Sequence, residues 1–153
     1  MTVEKPNLIY TEIVINAPIS RVTKEFYDFD SYPLWNPYIT SISTENSHLS
    51  LLKQRKKTLA TVSRSSDTEF GWVESWMKSI VQLHHNFYFE KIDEHSTKFI
   101  QEEYFTGIGR GVFSRISSYK ITNGFIAMNE ALKARCESTC ESGIYKLPFN
   151  EEL

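Results

Sequence analysis

The stretch ITNGFIAMNEALKARCEST, Ile121 to Thr139, decides how this chain reads. Advancing about 100° per residue, Ile121, Phe125, Met128, Leu132, Cys136 and Thr139 fall within an arc of roughly 80°, while Glu130, Lys133, Glu137 and Glu141 cluster opposite. The pattern predicts a long amphipathic helix with one buried and one wet face. Its start lies between Ser114 and Gly124, and Gly143 offers a stop. Almost everything upstream is strand-like and rich in aromatics, so the simplest architecture is a curved antiparallel sheet closing on this helix.

Three strands carry the next most information. Alternation puts Phe70, Trp72, Glu74 and Trp76 on one face, then Leu83, His85, Phe87 and Phe89, then Phe99, Gln101, Glu103 and Phe105. Each presents an aromatic face with one or two polar residues. Asp93-Glu94-His95-Ser96 forms the turn between the second and third. A turn centred on residue 94 sets His85 opposite Glu103, and one centred on 95 sets it opposite Phe105. Gly107, Gly109 and Gly111 follow. They lack the spacing and the βαβ context of a dinucleotide loop and read as a flexible connection able to gate a cavity.

Toward the N-terminus, Leu8 to Ile15 is a β-branched strand stopped by Asn16-Ala17-Pro18. Ile19, Val22, Phe26 and Phe29 then mark a first helix to about Asp28, and Ser31 to Pro37 holds at most one further helical turn. Tyr38 to Arg64 alternates more weakly, with runs at His48 to Leu52 and Thr58 to Ser63. Between these runs, Lys53-Gln54-Arg55-Lys56-Lys57 reads as a solvated hairpin tip, with contact to anionic lipid as the functional alternative.

A chain of 153 residues fits one domain, residues 1–153, with its core at about 8–140 and a loosely held tail at 144–153. A net charge of -2 gives no field for a nucleic-acid backbone, so nucleic acid is excluded as a partner. No transmembrane segment and no signal-peptide core are evident, which makes a soluble cytoplasmic protein the expectation. Cys136 and Cys140 stand one helical turn apart without a second pair or a nearby His, so two free thiols are expected and no metal or cofactor. Aromatic residues make up 14% of the chain, which implies very bulky packing or the wall of an apolar cavity.

Ile15-Asn16-Ala17-Pro18 with Val22, Asp28, Tyr32, Trp35, Asn36 and Pro37 resembles the opening of the START-like, Bet v 1-like superfamily, in its polyketide cyclase/dehydrase (SRPBCC) branch. Trp72, His85 with Phe87, Thr97 with Glu103, Phe105 and Gly107 continue the likeness. So do Gly124-Phe125, Met128-Asn129, Ala131-Leu132-Lys133, Arg135 and Glu137, and the whole spans residues 8 to 140. The resemblance implies an α+β helix-grip fold: a curved seven-stranded antiparallel sheet around a long C-terminal helix, with two short helices after the first strand. It also implies a cavity for a hydrophobic ligand. The chain departs from the family in lacking glycines between Ser41 and Ser65 and just after Trp72, where Trp76 adds bulk that narrows the cavity.

Three functions follow as expectations. In the first, a lipid, sterol, quinone or polyketide-like molecule binds among Phe70, Trp72, Trp76, Phe87, Phe89, Phe99, Phe105, Phe125, Met128 and Leu132. Glu74, His85, Gln101 and Glu103 then act as polar handles, and Arg135 pairs with Glu103, with an anionic ligand or at the surface. The second is a cyclase or dehydratase using His85 and Glu103 as an acid/base pair. The third is a chaperone-cofactor-like interaction protein, which needs an exposed apolar patch that the sequence does not display. Trp35 and Asn36 read as structural, and His48, His84 and His95 as edge or turn residues.

Overall fold

The computed structural model describes residues 5, 7–45, 47–53, 56–76, 78 and 80–138. Thr139, Cys140, Glu141, Gly143 and the tail 144–153 lie outside the described residues, as do Gln54 and Arg55.

The seven strands are β1 (Ile9–Ile15), β2 (Ile39–Glu45), β3 (His48–Lys53), β4 (Lys56–Ser65), β5 (Glu69–Trp76), β6 (Val81–Lys91) and β7 (Thr97–Thr106). They form one antiparallel sheet in the order β1-β7-β6-β5-β4-β3-β2. Strands β2 to β7 run as a meander, and β1 closes onto the last of them. Between β1 and β2, on opposite edges of the sheet, the chain forms α1 (Ile19–Tyr27), a 3-10 turn (Phe29–Ser31) and the single-turn α2 (Tyr32–Trp35). The last helix, α3 (Arg110–Glu137), lies in the grip of the sheet.

The expected stripe on α3 is the buried one: Ile121, Phe125, Met128, Leu132 and Cys136 are at most 8% exposed. Inward alternation on β5, β6 and β7 brings Phe70, Phe87, Phe89 and Phe99 against Phe26 of α1, with ring centroids 4.9 to 5.9 Å apart. These rings make edge and tilted contacts that plug one end of the grip with solid core. Asn36 fixes the other end, its Oδ1 accepting from the backbone N–H of Tyr38 at 3.0 Å and of Ile39 at 2.9 Å. This turn delivers Tyr38 onto α3, where its ring stands 5.7 Å from that of Phe125.

Three expectations need correction. Helix α3 begins at Arg110, ahead of the expected Ser114 to Gly124 window. The glycine run is therefore not a flexible loop: Gly109 is the N-cap, Gly111 is helical, and Phe113 anchors the first turns against Trp76 and Phe105. Gly107 has φ +94, and a Cβ there would meet the Ile80 carbonyl oxygen at 2.1 Å, so only glycine makes this tight junction. His84 is not an edge residue. It sits on the outer face of a central strand, stacked on Tyr104 at 4.5 Å and paired with Thr106.

Candidate functional site

Where the aromatic plug ends, a pocket of about 380 Å³ opens between the sheet and the N-terminal half of α3. Glu74, Trp76, Leu83 and Glu103 reach it from β5, β6 and β7, Phe113, Ser117, Lys120 and Ile121 from α3, and Tyr38 closes it beside Phe125. Lys53, Lys56 and Thr58, from β3 and β4, complete the wall.

The pocket holds two carboxyl groups in different states of satisfaction. Glu74 Oε1 accepts from Trp72 Nε1 at 3.0 Å and from Lys53 Nζ, whose ammonium also stands 5.4 Å from the Trp72 ring centroid. Lys53 is thus no solvated hairpin tip: it turns inward, and its side chain is only 11% exposed. Lys56 does remain exposed, with its ammonium 3.7 Å over the ring of Trp76.

Glu103 is 1% exposed, and neither carboxyl oxygen has a hydrogen-bond partner. Burial, opposed by Lys53 and reinforced by Glu74, pushes its pKa up to about 7. The register that pairs the strands at residue 94 sets His85 directly opposite Glu103, as one of the two sequence alternatives required. Nδ1 of His85 lies 3.5 Å from Glu103 Oε2 without hydrogen-bond alignment.

The tautomer of His85 follows from a chain of partners. Gln101 Nε2 lies 3.4 Å from the Phe125 backbone carbonyl, which can only accept, so this atom is the amide nitrogen. It donates also to Asn129 Oδ1 at 2.6 Å, and Asn129 Nδ2 in turn donates to Thr11 Oγ1. Oε1 of Gln101 is then an acceptor facing His85 Nε2 at 3.1 Å, so that nitrogen carries the ring proton. Nδ1 is left bare toward Glu103. Burial between Phe87, at 4.3 Å, and Phe125, at 4.5 Å, holds the imidazole pKa well below its usual value, with Lys53 adding to the effect. A bare ring nitrogen facing an ionised carboxylate is repulsive, whereas a protonated carboxyl can point a donor at it. The buried pair is therefore a neutral imidazole beside a carboxyl that keeps its proton up to about pH 7.

Of the residues expected from sequence to contact a ligand, Glu74, Trp76 and Glu103 line the pocket. His85 stands behind Glu103, and Gln101 fixes the His85 ring from its far side. Trp72 contributes an indole donor to Glu74, while Phe70, Phe87, Phe89, Phe99, Phe125, Met128 and Leu132 are packed core, and Phe105 lies under Phe113. Arg135 is far from this chemistry. It does not pair with Glu103, because the last turns of α3 lie against α1, where Arg135 Nε bonds Glu25 at 2.6 Å and Nη2 lies 3.5 Å from Asp28.

Sequence reasoning missed Tyr38, Lys53, Lys56, Thr58, Phe113, Ser117 and Lys120, and placed Leu83 and Ile121 on buried faces without assigning them to the pocket. Part of the signal was present. Phe113 and Ser117 extend the Ile121–Phe125 stripe backward in steps of four, and Leu49, Leu51 and Lys53 alternate onto one face. Among the described residues no His, Cys, Asp and Glu group is placed to hold a metal ion, and no helix is long and apolar enough to cross a membrane. Cys136 is buried with a free thiol whose pKa burial raises to about 12.

No family model matches the chain, and no curated protein matches it in sequence. Solved structures do share its fold. A START superfamily protein from Mycobacterium smegmatis is 15% identical with a TM-score of 0.62, covering 85% of this chain and 97% of its own. The Zhui aromatase/cyclase from a Streptomyces species is 13% identical with a TM-score of 0.64, over 85% and 93%. The di-domain ARO/CYC BexL is 10% identical with a TM-score of 0.68, over 85% of this chain and 47% of its own. At these identities the likeness shows the fold, which is START-like, and nothing finer.

Proposed function

We propose that this protein binds a small, largely apolar molecule bearing one hydrogen-bonding group, held in the pocket with that group on Glu103. The observation that carries the reading is the buried, unpartnered carboxyl at the pocket wall. Leaving such a group unsatisfied costs about 1–3 kcal/mol, and a ligand hydroxyl or carbonyl would recover it. Trp76, Leu83, Phe113, Tyr38 and Ile121 supply apolar contact, and about 380 Å³ lies at the lower end of ligand-pocket sizes. A lipid fragment, a quinone or a compact polyketide-like ring system fits this chemistry better than a long-chain lipid. The fold's presence in START and aromatase/cyclase proteins agrees with such a ligand.

Native mass spectrometry of the purified protein, followed by denaturing extraction, tests the proposal. A co-purifying apolar molecule, or saturable binding of an apolar fluorescent probe that Glu103→Ala weakens, supports it. Empty protein that also fails to bind the probe overturns it.

The His85–Glu103 pair favours a second reading, a cyclase or dehydratase in which Glu103 transfers the proton. His85 is fully buried behind it, so its part is to hold the carboxyl in place. A His85→Ala variant that loses turnover of a ring-forming substrate while keeping its affinity supports this reading. Unchanged turnover removes His85 from the chemistry.

A further inference from the structure

The outward face of α3 changes character along its length. Beyond Ile126 its C-terminal half is polar there, with Glu130, Lys133 and Glu137. Its first three turns instead expose Val112 at 69%, Ile116 at 74% and Tyr119 at 78%, on one side of the helix. Ile108, 96% exposed, continues this stripe, and the junction at Gly107 and Gly109 holds Ile80, 46% exposed, beside it. Five large apolar side chains thus face water together, a patch the sequence pattern did not reveal. Arg115 and Lys120 flank the stripe on either side, and Arg110 and Lys78 are exposed at its end. No Asp or Glu occurs anywhere from Tyr104 to Asn129.

We infer that this face docks on an anionic lipid bilayer, with Ile80, Ile108, Val112, Ile116 and Tyr119 entering the interface and Arg110, Arg115 and Lys120 meeting the headgroups. An apolar stripe rimmed only by cations on one helix face is the arrangement that lies in a charged membrane surface. Pairing with a second copy of the chain is opposed by charge. A two-fold contact through this face brings the arginines and lysines of both copies together with no carboxylate to offset them. The inner side of the same turns carries Phe113 and Ser117, with Lys120 at the border between the two faces, so docking sets the pocket mouth at the bilayer surface. An apolar ligand would then pass between membrane and protein without crossing bulk water.

The test is flotation of the purified chain with vesicles of phosphatidylcholine alone or mixed with phosphatidylserine, and it does not depend on whether the pocket is filled. The chain is expected to float with the mixed vesicles, to stay behind with the neutral ones, and to detach as salt is raised. Arg110→Gln with Arg115→Gln should weaken binding about 30-fold, and Val112→Glu with Ile116→Glu should abolish it. All four positions are exposed, so an unchanged melting temperature confirms that the variants fold. Failure of the folded parent chain to bind mixed vesicles, or undiminished binding by the double glutamate variant, overturns the inference. A dimer in solution that Ile116→Glu separates, without vesicle binding by the parent, assigns the face to a second copy instead.

Discussion

Replacing Glu103 with Gln isolates what burying that carboxyl costs the fold. Its pKa rises from 4.5 to about 7 on folding, so in that interval the native state holds a proton that the unfolded chain has lost. Stability then falls as pH increases, by about 1.4 kcal/mol per pH unit. Across the difference between 4.5 and about 7 the penalty sums to about 3 kcal/mol, absent below the lower value and complete above the upper one. Glu103→Gln keeps the shape without the charge, and its amide can donate to the bare Nδ1 of His85. Denaturant unfolding across a pH series should therefore show variant and parent equally stable near pH 4.5, with the variant gaining about 3 kcal/mol by about pH 8. His85 works in the opposite direction: its lowered pKa means that acid favours the unfolded chain, but it does so in both proteins and drops out of the difference. A variant less stable than the parent at alkaline pH would refute the reasoning, since Glu103 would then be ionised and compensated in the fold.

Lys53→Met strands the buried carboxylate of Glu74 and should cost about 3–5 kcal/mol, most of it restored by adding Glu74→Gln; full stability of the single variant in denaturant would deny the pair this role. Gly124→Ala places a methyl carbon 2.2 Å from the Tyr38 ring, so the usual helix gain reverses to a net loss of about 1–3 kcal/mol, visible as a lower melting temperature. Trp76→Ala removes a half-buried ring from the pocket wall. It should let a bulkier apolar fluorophore bind in titration, and an unchanged size preference would place the fluorophore elsewhere.

The stripe from Ile121 to Cys136 and the inward faces of β5 to β7 were legible because both periods are long and unbroken, and burial on one side enforces them. Even the His85–Glu103 opposition was available as one of two registers, since a sheet allows only pairings that keep both faces on the same side. What the pattern could not tell apart was plug from pocket. Phe87 and Trp76 alternate identically, but Phe26 arrives from α1 to fill the space over Phe87, and that meeting is tertiary. Lys53 was hidden by its neighbours, because a run of cations at a hairpin reads as solvated, whereas Glu74 across the sheet draws one of them inward. The early start of α3 was masked by three glycines, which local propensity disfavours and which Phe113 overrides by packing on Trp76 and Phe105.

The protonation state of Glu103 also makes pH a reader of ligand chemistry. A ligand that donates a hydrogen bond to this carboxyl stabilises its ionised form, so binding lowers the pKa and expels a proton. Its affinity should then climb as pH rises and level off above about 7, the value in the empty pocket. A ligand that accepts from the protonated carboxyl does the reverse, binding with constant affinity below about 7 and weakening above it. Titration of any ligand recovered from the protein across this range, in two buffers of different ionisation enthalpy, gives the sign of proton exchange directly. An affinity independent of pH, with no proton taken up or released, would mean that the ligand does not touch Glu103, and the site would have to be sought away from the carboxyl that defines it here.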